Sequence, residues 1–292
     1  MRVLITGISG FVGRALAPAL REFGHELRGA SGRNDVTNLL VGCEEIVHLA
    51  NIAHRYTSPD LLHRVNVEGT RRLAEKAAAA GARRFVYLSS IKALGEETHG
   101  LALNGTEVPA PKDAYGRAKL EAERALAEVA RRTGLEVVIL RPPLVYGPGV
   151  KANFLALMRA VDRGWPLPLA SVRNRRSLVY LGNLVNAIGR CLEAPEAAGK
   201  TYFVSDGEPV STPELVRALA RALGRPARLL AFPPSVLGWI PSAPRLTRSL
   251  EVDDSAIRRE LGWVPPFTFE EGIRLTCEWY LARRGQLQRD PS

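Results

Sequence analysis

Apolar residues cluster in short runs along the first half of the chain, and longer amphipathic stretches separate those runs. Runs of this length and composition predict strands over Val3–Thr6, Glu26–Ala30, Glu45–Ala50, Phe85–Ser89 and Glu136–Leu140. The stretches between them predict helices over Phe11–Phe23, Pro59–Ala80 and Asp113–Arg132. Apolar strands alternating with helices imply a parallel sheet covered on both faces. After Arg141 proline and glycine become frequent. There, helices over Asn153–Arg163, Asn183–Glu193, Pro213–Leu223, Ser255–Leu261 and Glu270–Arg283 alternate with short strands. The expected fold class is therefore α/β, a doubly wound parallel sheet followed by a smaller α/β part. The division falls near residue 150, with the chain crossing between 1–150 and 151–292. No internal repeat or low-complexity tract interrupts this order.

Composition fits a soluble globular chain: of 292 residues, 46% are apolar and 24% charged. The net charge is +10, and only six of the 40 basic residues are lysines. Such an arginine-rich surface suits phosphates, nucleotides or nucleic acid, and equally a general preference for arginine. The arginines come in scattered pairs (Arg71-Arg72, Arg83-Arg84, Arg131-Arg132, Arg258-Arg259) with no long basic block, so no nucleic-acid partner is expected. Cys43, Cys191 and Cys277 are far apart, which makes neither a metal site nor a good disulfide framework. A reducing cytoplasm and no metal are expected. The chain opens on Met1-Arg2 and the first strand, so no signal peptide is expected. The most apolar late segment, Leu229 to Pro241, is broken by Pro233, Pro234 and Gly238, so no membrane span is expected.

The first strand runs into "TGISGFVG", which spaces Gly7, Gly10 and Gly13 as G-x-x-G-x-x-G before a helix. Gly7 permits a tight turn, Gly10 lets backbone approach a pyrophosphate, and Gly13 lets helix and strand pack closely. Ser9, Phe11 and Val12 complete the loop and the helix start, whose free N–H groups favour phosphate. This predicts a dinucleotide cofactor. An acidic residue ending the second strand would favour NAD, and a nearby arginine would favour NADP. The chain reads "ELRGASGRNDV" there, so Ser31 and Arg33 lean the expectation to NADP. Asp35, with Val36 beside it, is the adenine contact or reaches the ribose.

"AYGRAKLEAE" puts Tyr115 and Lys119 on one helix face. A tyrosine hydroxyl titrates at about 10. An ammonium and a positively charged nicotinamide ring beside it would favour the phenolate, making it a base for a sugar hydroxyl. Ser89 and Ser90 end the fourth strand, where open α/β sheets bind ligands.

"TGISGFVG", "HLAN", "NVEGT", "SSIKALGE", "YGRAK", "RPPLVYGPG" and "ELGWVPPFTFEEGI" stand in the order found in the extended short-chain dehydrogenase/reductase family. The chain resembles that family over nearly its whole length, most closely the nucleotide-sugar epimerases, dehydratases and 4-keto reductases. The resemblance implies a Rossmann-type NAD(P)-binding domain over 1–150 and a mainly substrate-binding part over 151–292. It implies Tyr115 as catalytic acid/base and Lys119 as the ribose contact that lowers the tyrosine pKa. Counting back from Gly95, it implies Ser90 as the catalytic serine and Ser89 as a neighbouring cofactor contact. Leu49, Ala50, Asn51 and Ala53 would line the pyrophosphate and ribose. Pro142 and the residues after it, Leu144 among them, would cover the nicotinamide. Asn153 and Phe154 in "KANFL" and Arg176 in "NRRSLVYLGNL" would hold a UDP-type diphosphate sugar, with a second arginine at Arg245 or Arg248. His54 would reach the sugar. Homodimers through the helices Pro59–Ala80 and Asp113–Arg132 are implied by the same analogy.

The departures are informative. "ALG" replaces the usual "VYG" before Gly95, and Ser177 and Tyr180 replace an aspartate and a histidine after Arg176. Ile91 and Lys92 occupy the places where the sugar 4,6-dehydratases keep an Asp-Glu pair. Isoleucine moves no protons, so dehydration is not expected. Lys92 is read as a substrate contact, or else as a loop lysine paired with Glu96 or Glu97. The expected activity is hydride transfer at C4 of a UDP-hexose or UDP-N-acetylhexosamine, leaning to 4-keto reduction. The alternative is a 4-epimerase with retained NAD, and the outside alternative a non-catalytic NADP-binding sensor or assembly protein.

Overall fold

Six parallel strands form the central sheet: β1 (Arg2–Thr6), β2 (Glu26–Ala30), β3 (Glu45–His48), β4 (Arg84–Leu88), β5 (Glu136–Arg141) and β8 (Thr201–Phe203). They lie in the order β2-β1-β3-β4-β5-β8 in the computed structural model, which describes residues 1–32, 36–52, 58–232 and 246–287. Both faces of the inner strands are apolar because both are covered. Val3, Ile5, Val47, Val86, Val138 and Leu140 point to one face, beneath Leu16 and Leu20 of α1 (Phe11–Glu22) and Leu184 and Ile188 of α7 (Leu181–Glu193). Leu4, Ile46, Phe85, Tyr87, Val137 and Ile139 point to the other. There they meet Leu73 and Ala77 of α4 (Gly69–Ala79) and Ala122 and Leu126 of α5 (Ala114–Thr133). Each fully buried aliphatic side chain contributes roughly 1.5–3 kcal/mol.

The connection from β2 to β3 is short, and its described residues hold one helix, α2 (Thr37–Leu40). The chain leaves β1 for β2 on one side and returns for β3 on the other. That reversal opens a crevice at the carboxyl ends of β1 and β3, the binding place of a doubly wound sheet.

The helix expected over Pro59–Ala80 is a helical run with a wide turn inside it. Ser58 caps α3 (Pro59–Leu62), with its Oγ accepting from the Leu61 N–H at 3.3 Å and Pro59 in the first position. His63–Glu68 then forms a π-helical turn, and the Gly69 N–H reaches back five residues to Arg64 O before α4 begins. Asn66 in that turn grips the main chain of Ile52 in both directions, at 2.8 Å each way.

Beyond β5, β6 (Leu144–Tyr146) pairs in parallel with β7 (Leu178–Tyr180). A second core gathers Phe154 and Met158 of α6 (Ala152–Asp162), Leu219 of α8 (Thr212–Ala222), and Ile273 and Tyr280 of α10 (Phe269–Leu287). The chain crosses back twice: α7 packs under the main sheet and β8 extends it. The helix expected over Ser255–Leu261 is α9, and it buries Ile257, Leu261 and the following Trp263 as its pattern requires. Among the described residues, no helix is long and apolar enough to cross a membrane.

Candidate active site

The glycine loop is built by close approaches that side chains would block. Gly7 has φ +75, and a β-carbon on it would lie 2.8 Å from the Ala50 nitrogen at the end of β3. Its N–H donates to Ala30 O at the end of β2 (2.8 Å). A β-carbon on Gly13 would overlap Gly7 O. Gly10 caps α1 in extended conformation without a side-chain bond, and the first turn holds no acidic residue. The free N–H groups and positive end of α1 are thus open to an anion. This cradle fits the pyrophosphate of a dinucleotide. The loop carbonyl of Ser9 is held by Arg14 Nε (2.7 Å). Phe11 and Val12 spend their side chains on packing, so only their backbone is available to a ligand.

Beside the loop, His48 is buried on β3 between Thr6 Oγ1 (2.6 Å from Nδ1) and Thr70 Oγ1 (2.8 Å from Nε2). Thr70 donates to Asn66 O (2.7 Å), so its oxygen accepts from His48 Nε2–H and Thr6 donates to Nδ1. Burial holds this imidazole neutral, lowering its pKa to about 3, with the nearby Lys119 charge acting the same way. The Ala50 N–H donates to Thr6 Oγ1 at 3.4 Å, which carries the network to the loop edge. Leu49 is a core residue, and Asn51 is exposed with its amide donating to Leu49 O (3.1 Å). Ser31 is exposed and Val36 half-buried at the start of α2. Arg33, Asp35, Ala53, His54 and Arg245 lie outside the described residues.

Tyr115 and Lys119 enter the site from the first turns of α5. Asp113 caps that helix, its Oδ1 accepting from the Gly116 N–H (2.7 Å). Lys119 is buried and donates from Nζ to Leu88 O (2.7 Å) at the end of β4. The ammonium stands 4.5 Å from the Tyr87 ring centre and 5.8 Å from that of Tyr115. Burial pulls its pKa down from 10.5 to about 7, against the opposing charge of Glu123. Tyr115 departs from expectation: in the protein alone, burial and then the Asp113 carboxylate hold its hydroxyl well above its ordinary range. The lysine alone does not make the phenolate, because burial raises the tyrosine hydroxyl and lowers the ammonium. Ser90 follows β4 in extended conformation and caps a 3-10 turn over Ile91–Ala93. Its Oγ accepts from the Lys92 N–H (3.3 Å), which leaves its own proton to donate.

Glu123 is the residue that motif reading passed over. It follows Lys119 by four, on the same helix face, and is buried. Ser89 donates its hydroxyl to Glu123, and Arg141 at the end of β5 adds two bonds, Nε to Oε1 (3.0 Å) and Nη2 to Oε2 (2.6 Å). The Ser89 hydroxyl, expected at the cofactor, is turned instead onto this carboxylate. "LEAE" held the signal, since Glu123 continues the spacing of Tyr115 and Lys119 whereas Glu121 does not. Pro142 O accepts from the Ile91 N–H (3.0 Å), and Leu144 is 44% exposed. Ile91 is buried with Leu94, Phe203, Leu250 and Val252.

The substrate-end residues fare unevenly. Lys92 is a correction to the substrate-contact reading and takes the other one, a loop lysine paired with Glu96: its ammonium lies 2.9 Å from Glu96 Oε1 and also 2.5 Å from Asp113 Oδ2. Phe154 is another, because it is 3% exposed and stacks on Tyr146 (5.4 Å, 17°) inside the second core. Asn153, just before it, is exposed at the start of α6. Arg176 and Arg248 are brought together: Arg176 Nη1 donates to Arg248 O (2.9 Å), and Arg248 Nη1 bonds Glu97 (2.8 Å). A cleft of about 330 Å³ opens beside them, lined by Ser171, Val172, Arg173, Asn174, Thr247 and Ser249.

Residues 3–205 match the NAD dependent epimerase/dehydratase family. The chain belongs to that family. A UDP-glucose 4-epimerase of Vibrio cholerae is 39% identical to it, over 96% of this chain and 95% of the relative. A 2-alkyl-3-oxoalkanoate reductase of Stenotrophomonas maltophilia is 30% identical, over 94% and 98%. Among solved structures, MoeE5 in complex with UDP-glucose and NAD is 26% identical and superposes with a TM-score of 0.81, covering 98% of this chain and 100% of that one. The chain is thus an NAD(P)-dependent enzyme of the extended short-chain dehydrogenase/reductase type, with the Rossmann-type sheet of that family.

Proposed function

We propose that this enzyme moves hydride at C4 of a UDP-hexose and works as a UDP-hexose 4-epimerase. The assembly of Ser90, Tyr115 and Lys119 at the carboxyl end of β4 carries this reading. The 39% identity to an epimerase over nearly the full length supports it. When bound, the nicotinamide cofactor supplies the hydride acceptor and donor and adds a positive charge. Ser90 donates to O4, Tyr115 takes the O4 proton and later returns it, and Lys119 holds the cofactor ribose. In this reading residues 1–150 bind cofactor and 151–292 mainly bind substrate. Arg176 and Arg248 serve the diphosphate by bidentate bonds, for which Arg248 exchanges Glu97 for phosphate. Protomers pair through α4 and α5.

Reduction of a 4-keto sugar with NADPH is the second reading, favoured by Ser31 and Arg33 after β2. The two separate in one assay. Purified enzyme is given UDP-glucose and UDP-N-acetylglucosamine without added reductant, and their 4-keto-6-deoxy derivatives with NADPH or NADH. Epimerisation without reductant is the expected result, and NADPH consumed one for one with product would replace it by the second. Tyr115→Phe is expected to cut kcat roughly a thousandfold. Undiminished turnover in that variant would overturn the mechanism.

A further inference from the structure

Lys92 stands where dehydratases place an acid, yet it touches three parts of the site at once. Its N–H donates to Ser90 Oγ (3.3 Å). Its carbonyl oxygen lies so close to α5 that a β-carbon on Gly116 would overlap it. Its ammonium bonds Asp113 Oδ2 and Glu96 Oε1. Asp113 must be where it is, because it caps the helix that carries Tyr115. The cap therefore sets a negative charge two residues before the side chain that would have to become a phenolate.

We propose that Lys92 is a positioning residue that joins Ser90 to the Tyr115 helix and neutralises the Asp113 cap beside the reacting tyrosine. This rests on the reading of Ser90 and Tyr115 as the pair that handles the substrate hydroxyl. The half-buried setting makes the pair matter: the Lys92 side chain is 28% exposed and that of Asp113 42%, so solvent only partly screens them. Asp113 already opposes ionisation of Tyr115, after burial. Without Lys92 that opposition grows, because Glu96 and Asp113 are left facing each other uncompensated. Lys119 on its own helix and Tyr87 on β4 are titratable groups that also lie near Tyr115. Lys92→Met changes neither.

The main-chain role has a separate consequence. The Lys92 N–H occupies an acceptor site of Ser90 Oγ, which leaves the serine proton free to donate. Lys92→Met, Lys92→Arg and Lys92→Gln all keep the N–H that makes this bond, so the variants isolate the ammonium.

The test is the pH profile of kcat for wild type, Lys92→Met, Lys92→Arg and the double variant Lys92→Met with Asp113→Asn. Ultraviolet difference titration of tyrosinate in the NAD-bound proteins accompanies it, each read against its Tyr115→Phe partner and needing no turnover. In Lys92→Met, the acid limb of kcat and the tyrosinate midpoint are both expected to move up by about one pH unit, roughly tenfold less phenolate at fixed pH. Lys92→Arg keeps the wild-type position, and the double variant returns to it. An unmoved limb and midpoint in Lys92→Met, or a kcat loss equal at every pH, overturns the proposal. Should Lys92→Met fail to fold, Lys92→Gln carries the same comparison. Full activity in Tyr115→Phe sinks the functional reading instead, while the titration still reports on Lys92.

Discussion

Lys119 holds a charge where the protein gives it little solvent. Its pKa of about 7 lies below its ordinary 10.5 because burial outweighs Glu123. Between those values the unfolded chain binds a proton that the folded one does not. Stability of the unliganded protein on this account therefore rises with pH, by about 1.4 kcal/mol per unit within the window, and the penalty is complete below about 7. Denaturant unfolding from pH 7 to pH 10 is expected to show this rise in wild type and a flatter course in Lys119→Met. Equal slopes would mean that the ammonium is solvated in the fold. That Tyr115 and Lys119 share a helix face was legible from their spacing of four, and their place between the fourth and fifth strands pointed to the site. Glu96 beside Lys92 was legible too, but Asp113 at Lys92 and Glu123 at Ser89 were not, because they reach those residues only once α5 is laid against β4.

α5 reads from the sequence almost to the residue, expected over Asp113–Arg132 and found over Ala114–Thr133. Its two ends work differently. Gly116 is needed for space, against the Lys92 carbonyl, whereas Gly134 is needed for its left-handed cap at φ +75. Gly116→Ala should cost roughly 1–3 kcal/mol by overpacking and lower kcat about a hundredfold as the helix start shifts from Ser90. Gly134→Ala should cost about 1–2 kcal/mol and leave kcat alone. Melting curves and kcat on both variants separate the two, and a Gly116→Ala enzyme of normal kcat would show the helix start to be loosely held. The π-helical turn at His63–Glu68 was not legible, since apolar spacing there fits an unbroken helix and only the clasp of Asn66 on Ile52 marks the wide turn.

At the amino end of β4, opposite the site, a buried arginine ties the main sheet to α7. Arg84 is buried and donates from Nη1 to Cys191, Leu192 and Ala194 carbonyls at the end of α7 (2.9, 2.9 and 2.6 Å), while Nε and Nη2 hold Glu136 (2.9 and 2.6 Å). Arg84→Met should lower unfolding free energy by roughly 3 kcal/mol and spare kcat in the cold. Loss of kcat in a folded variant would show that this end communicates with the site. The glycine loop, the strand and helix periods and the Tyr115–Lys119 spacing were determined by the sequence itself, because each depends on neighbours a few residues apart. Tertiary structure decided that β8 and α7 return to the main sheet, that Phe154 belongs to a core, and that Lys92 answers Asp113. Those outcomes depend on which charges and surfaces meet across long separations, and burial and close packing set them only when the chain is folded.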